Sequence, residues 1–159
     1  LCRDWSSDVC SSDLVWGAAD QPPVVLVHGG GAHSGWWEHI APFFSHTHRV
    51  IALDLSGHGD SGARTCYDPS TWASEVMAAA SAAGPGGRPT IVGHSMGGWV
   101  VSTAVMHYSP QINSMLVIDS PLWERVPEEG RLRTHKHTEY RTRDEILARF
   151  TTVPSGDFR

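Results

Sequence analysis

Residues 90–99, Thr-Ile-Val-Gly-His-Ser-Met-Gly-Gly-Trp, hold a serine whose neighbours could prepare it for covalent chemistry. A serine hydroxyl attacks a carbonyl carbon when a base accepts its proton and hydrogen-bond donors stabilise the oxyanion that forms. Gly93 and Gly97 stand two residues before and two residues after Ser95. The β-branched run before them predicts a buried strand, and Met96 to Tyr108 has the length and apolar content of a helix. A serine on a sharp strand-to-helix bend has a strained backbone, and residues without side chains on either side let neighbouring backbone pass. The bend lifts the hydroxyl above the sheet edge. It also puts the Met96 N–H at a helix N-terminus, where an orphan donor and the positive dipole end can stabilise an oxyanion. Ser95 is therefore the candidate nucleophile, and Met96 N–H is a candidate oxyanion donor.

Two further strand-and-loop segments must position this serine. Val24–Val27 leads into His28-Gly29-Gly30-Gly31, and Ala52–Leu55 leads into Ser56-Gly57-His58-Gly59-Asp60-Ser61. In order and spacing, the three segments resemble the α/β-hydrolase family over roughly residues 15–120: an HG-type oxyanion loop, a D-x-x-G-H-G-x-S turn and a nucleophile elbow. The resemblance implies an α/β fold, incomplete here, with a mostly parallel sheet and helices on both faces. It implies that Gly30 gives its backbone N–H to the oxyanion, and that Asp54 and His58 belong to a structural turn. The family order is serine, acid, histidine. Asp119, at the end of the strand after the elbow, is where some members place the acid, while many place it one strand later. The only histidines after Asp119 are His135 and His137, in a charged stretch without flanking strands. They read as exposed histidines of a lid rather than as the base. Family members continue through two more strands and the segment bearing the catalytic histidine, so the resemblance implies a fragment that lacks its base.

Composition excludes several other classes. The chain has 159 residues, enough for one domain, and 40% of them are hydrophobic, enough for a core. Its net charge of −5 leaves no basic footprint for nucleic acid, and no apolar run is long enough to span a bilayer. Cys2, Cys10 and Cys66 are too few and too odd in number for a disulfide framework, so a reducing cytoplasm is the expected setting. His135-x-His137 lacks further ligands for a metal, and no cofactor is expected.

Residues 1–14 contain Ser-Ser-Asp twice, show no period, and resemble a translated sequencing-adapter read; they are set apart as a non-native leader. Residues 15–121 form the hydrolase-like core, and residues 122–159, which hold eight of the twelve Lys and Arg residues, form the start of a lid or cap. Within the core, Leu14 to Gly17 ends an early strand, and Ser34 is expected to cap a helix carrying Trp36, Trp37, Ile40 and Phe44. One tryptophan belongs to the core and the other can line the pocket. Arg49–Leu55 is a strand. Asp68-Pro69 caps and opens a helix that Gly84 ends, and Met115–Asp119 is a fourth buried strand. Thr142-Arg143-Asp144-Glu145 reads as a capping box opening residues 146–150. The expected function is hydrolysis of a small to medium, partly apolar carboxylic ester. The alternatives are a ligand-binding member with an inert serine, and a hydrolase of carbon–carbon bonds on the same fold.

Overall fold

A β-branched run without polar alternation is satisfied only where both faces of a strand are covered. β2 (Pro23–Val27) meets that condition, being buried at every position. Val25 and Val27 join one core cluster, and Val24 and Leu26 join another on the opposite face. The computed structural model describes residues 13–120, 122 and 141–147. Four more strands surround β2: β1 (Asp13–Trp16), β3 (Arg49–Leu53), β4 (Thr90–His94) and β5 (Ser114–Ile118). The sheet order is β1-β3-β2-β4-β5, with β1 antiparallel to β3 and the other pairs parallel. Val25 lies opposite Ile51 on one side and Ile91 on the other, so the strands end together. The loops after β2, β3, β4 and β5 therefore share one edge, and the chain reverses its direction of winding around β2, where such sheets form their binding crevice.

The helices cover both faces. α2 (Pro69–Ala82) and α3 (Met96–Tyr108) bring Ala73, Val76 and Ala80 against Val100, Val101 and Ala104 over the first cluster. Asp68 caps α2 by accepting from the Thr71 N–H at 2.9 Å, with Pro69 as its first residue, and Gly84 follows its end at φ 119°. On the other face a 3-10 turn (Ser34–Trp37) and α1 (Ala41–Phe44) supply Trp37 and Ala41.

Four expectations need correction. The helix after Ser34 is broken, because Gly35 and Pro42 interrupt it: Pro42 carries no N–H and opens a new turn, and the cap of the 3-10 turn is His33, which accepts from the Gly35 N–H at 3.2 Å. β1 begins at Asp13, with Leu14 opposite Ala52 and packed against the second cluster, so residues 13 and 14 belong to the sheet rather than to a leader. β5 is not a buried strand. Leu116 is 54% and Met115 40% exposed, because among the described residues β5 pairs only with β4. An apolar run alone does not tell a central strand from an edge. Finally, Cys66 is disulfide-bonded; an odd count excludes a full framework, not a single pair.

A short helix, α4, spans Arg143–Leu147. Thr142 accepts from the Glu145 N–H at 3.3 Å, while the Glu145 carboxylate accepts from the Arg141 N–H at 2.8 Å, one residue earlier than the expected box. Residues 148–150 of the expected helix lie outside the described residues. No helix among the described residues is long and apolar enough to cross a membrane.

Candidate active site

β4 ends at His94 and α3 begins at Met96, so Ser95 alone turns the chain. Its φ of 52° and ψ of −116° lie in a region that a residue with a side chain rarely enters, at a cost of roughly 1–3 kcal/mol. Three hydrogen bonds hold it there. The Ser95 N–H donates to the Ile118 carbonyl at 3.0 Å, and the Ser95 carbonyl accepts from the Gly98 N–H at 2.9 Å and from the Ser120 hydroxyl at 2.7 Å. At a net of about 1 kcal/mol each, together they match the strain.

The flanking glycines are required sterically. A Cβ on Gly97 would lie 2.5 Å from the Val27 carbonyl oxygen and 2.6 Å from that of His28, and one on Gly93 would overlap the Gly97 carbonyl. The loop after β2 is pressed directly onto the elbow. A Cβ on Gly29 would sit 3.2 Å from Ser95 Cβ, and one on Gly30 would sit 3.6 Å from Met96 Sδ. Gly30 and Met96 are thus neighbours beside the serine. Met96 is the first residue of α3, where an N–H has no intrahelical acceptor. The Ser95 hydroxyl makes no hydrogen bond among the described residues.

The histidines divide by what their rings touch. His28 is 1% exposed; its Nδ1 donates to the Gly29 carbonyl at 2.8 Å and its Nε2 accepts from the Leu55 N–H at 3.2 Å. Burial lowers its pKa, so it is neutral near pH 7 with both nitrogens occupied, and it does not act as a base. The stability it contributes is complete above the ordinary histidine pKa and is lost as pH falls below it. The His58 ring lies 4.9 Å from that of His28 and 5.9 Å from that of Trp72. Asp54, 2% exposed, accepts from the Ser34 N–H at 2.6 Å and the Asp60 N–H at 2.9 Å. Burial alone would raise its carboxyl; these bonds and the Ser34 hydroxyl outweigh that and lower it. Asp54 and His58 thus both sit inside the turn after β3. Asp119 follows β5 at φ 45°, exposed, with no hydrogen bond or ion pair among the described residues. His135 and His137 lie outside the described residues. Among the described residues no histidine is bonded to the Ser95 hydroxyl, and no cluster of three or more His, Cys, Asp or Glu could hold a metal.

Two features escaped sequence reasoning. His94 stacks on Trp36, ring centroids 6.2 Å apart, and together with Gly29, Trp37, Ile40 and Ile118 they line a cavity of about 210 Å³ beside the elbow. Trp37 is buried and Trp36 is 52% exposed, so both tryptophans line the cavity and only one of them belongs to the core. The other feature is a buried ion pair, Arg64 Nε to Glu75 Oε1 at 2.8 Å, which also binds Ser56 through its N–H and its hydroxyl. Its sequence signal was an acidic residue amid the small apolar residues of α2.

Comparison with known proteins identifies the same fold. A model of the alpha/beta hydrolase fold matches residues 22–153. Norfluorocurarine synthase 1 of a Strychnos species is 35% identical over 113 residues, 67% of this chain and 41% of that protein. Pimeloyl-[acyl-carrier protein] methyl ester esterase of Edwardsiella ictaluri is 30% identical over 111 residues, 69% of this chain and 41% of the esterase. Among solved structures, a 2-hydroxy-6-oxo-6-phenylhexa-2,4-dienoate hydrolase from Rhodococcus is 31% identical, with a TM-score of 0.63 over 79% of this chain and 49% of that one. The chain spans about two-fifths of the length of the curated relatives it matches.

Proposed function

The chain belongs to the alpha/beta hydrolase fold family, and on that premise we propose that it carries the nucleophile and oxyanion hole of a serine hydrolase acting on a carboxylic ester. The observation that carries this reading is Ser95 at φ 52°, its backbone held by three hydrogen bonds and its hydroxyl without a partner among the described residues. In the proposed reaction, Ser95 Oγ attacks the ester carbonyl carbon as a base takes its proton. The Gly30 and Met96 N–H groups stabilise the tetrahedral oxyanion. The base then returns the proton to the departing alkoxide, and water, activated by the same base, releases the acid and restores the serine. Each oxyanion donor contributes about 3–4 kcal/mol to the barrier reduction. The cavity beside the elbow, lined by Trp36, Ile40 and Ile118, supports a partly apolar small-molecule substrate.

Asp119 is a candidate acid in this reading, and a carboxylate one strand further on is preferred. The family resemblance puts the base in a later segment rather than at His135 or His137, and on that reading the 159 residues by themselves are expected to show no efficient turnover. Residues 1–12 are read as foreign to the fold, residues 13–121 as the core and residues 122–159 as the start of a lid. A melting temperature lowered by several degrees on removal of residues 1–12 would contradict the first of these assignments. A reducing cytoplasm remains the proposed setting; a Cys66 disulfide retained in full-length protein isolated with its thiols blocked would move it to an oxidising compartment.

The test is covalent labelling of the full-length protein by a fluorophosphonate. Labelling at Ser95 that disappears in Ser95→Ala is the expected result. A second reading, a ligand-binding member with an inert serine, predicts no labelling in either protein. Labelling accompanied by turnover of a vinylogous diketone but of no ester would favour the carbon–carbon bond hydrolase.

A further inference from the structure

We propose that Ser120 is a positioning residue for the oxyanion hole, aiming the Met96 N–H by holding the Ser95 carbonyl. The proposal rests on the serine-nucleophile reading above. A trans peptide unit is planar, so the Ser95 carbonyl and the Met96 N–H point in opposite directions along one rigid plate. Whatever fixes the carbonyl fixes the N–H. Two donors reach that carbonyl: the Gly98 N–H at 2.9 Å and the Ser120 hydroxyl at 2.7 Å. The Gly98 bond belongs to the first turn of α3 and moves with the helix. Ser120 comes from 25 residues away in sequence, just beyond β5, and ties the plate to the sheet.

Three details indicate that this contact is built into the elbow. The Ser95 N–H is held by the Ile118 carbonyl at 3.0 Å, so the end of β5 grips the strained residue on both sides. Between the two grips the chain bends through Asp119 at φ 45°, the only other residue besides Ser95 with a side chain and a positive φ among the described residues. Space for Ser120 exists because position 98 is glycine: a Cβ there would lie 2.5 Å from both Ser120 Cβ and Ser120 Oγ. The hydroxyl does not touch substrate; it acts through Ser95 and Met96.

The experiment uses the full-length protein with p-nitrophenyl acetate, a fluorophosphonate and phenylboronic acid, whose tetrahedral adduct on serine imitates the oxyanion. Ser120→Ala is expected to lower kcat and the labelling rate by roughly 10- to 100-fold, short of the loss of a whole donor. KM should stay within about twofold, since the oxyanion forms only in the transition state. The phenylboronic acid inhibition constant should rise by the same factor as kcat falls, and Ser120→Thr, which keeps the hydroxyl, should recover most of the loss. If Ser120→Ala does not accumulate as folded protein, the nearly isosteric Ser120→Cys carries the same comparison. Unchanged kcat, labelling rate and inhibition constant, or a loss confined to KM or melting temperature, would overturn the proposal. Ser95→Ala separates the two readings: if it labels like the unaltered protein, the nucleophile assignment has failed. If its labelling vanishes while Ser120→Ala labels normally, only the role of Ser120 has failed.

Discussion

Two glycine-punctuated turns at the same sheet edge carry a serine and a histidine, and they use them in opposite ways. In the turn after β3 the serine is engaged at its N–H, its hydroxyl and its carbonyl alike. The Ser56 N–H donates to Glu75 at 3.0 Å, its hydroxyl accepts from Arg64 at 3.1 Å and its carbonyl from the Trp72 indole at 3.2 Å. Asp54 collects two further N–H groups, and the Ser61 hydroxyl donates to the Asp54 carbonyl at 2.6 Å. In the elbow after β4 the backbone groups of Ser95 are held as firmly, yet its hydroxyl is left without a partner among the described residues. A buried polar group fully bonded within the fold stabilises one conformation, whereas a strained residue with a free hydroxyl keeps its bonding capacity for something that arrives. Composition alone does not separate the two turns; the hydrogen bonds do.

The largest effect expected on the structural side comes from Arg64→Ala. It leaves Glu75, 4% exposed, without its cation, and breaking a buried pair in this way costs about 3–5 kcal/mol. Denaturant unfolding measures it, and the folded fraction should still label at Ser95. Loss of labelling at unchanged stability would place the ion pair in the reaction rather than in the fold. On the elbow side, Asp119→Asn is expected to lower kcat of the full-length protein only a few-fold, since the preferred acid lies one strand later. A fall approaching ~10⁴-fold would make Asp119 the group that orients the base.

The smallest effect concerns Asp13 on β1. Desolvation at the sheet edge, and then the Asp54 carboxylate, push its carboxyl up from 3.8 to about 6, although the residue is exposed by area. The folded chain therefore holds this proton more tightly than the unfolded one. The stability it contributes is full below the unfolded pKa and declines as pH rises from 3.8 to about 6. Asp13→Asn should leave the melting temperature unchanged near pH 3.5 and raise it slightly at pH 7. A lower melting temperature at pH 7 would mean that the charged form is favoured by a partner.

The central strands and the elbow were legible because their signals are local and steric. Val24–Val27 has no polar alternation, Asp68-Pro69 presets a helix start, and Gly93 and Gly97 lack side chains where the carbonyls of Val27, His28 and Gly97 pass. What was not legible depends on neighbours distant in sequence. Met115–Ile118 has core composition, but burial requires a covering element, and composition cannot say whether one is present. The ion pair of Arg64 and Glu75 joins a loop to the middle of a helix, without any spacing rule. The bond of Ser120 to the elbow has no sequence signal, because nothing in Asp119-Ser120-Pro121 reveals a carbonyl 25 residues earlier. The helix expected after Ser34 fails for a local reason instead: Gly35 and Pro42 both disfavour one continuous helix.

Ser95 is proposed as the nucleophile on its strained backbone and on a hydroxyl without a partner among the described residues. The most direct measurement is intact-mass analysis of full-length protein and its Ser95→Ala variant after exposure to a fluorophosphonate, with peptide mapping of the adduct. One adduct per chain is expected on the peptide containing Gly93-His94-Ser95-Met96-Gly97, and none in the variant. An adduct of equal yield in the variant, or one mapped to Ser56 or Ser120, would contradict it.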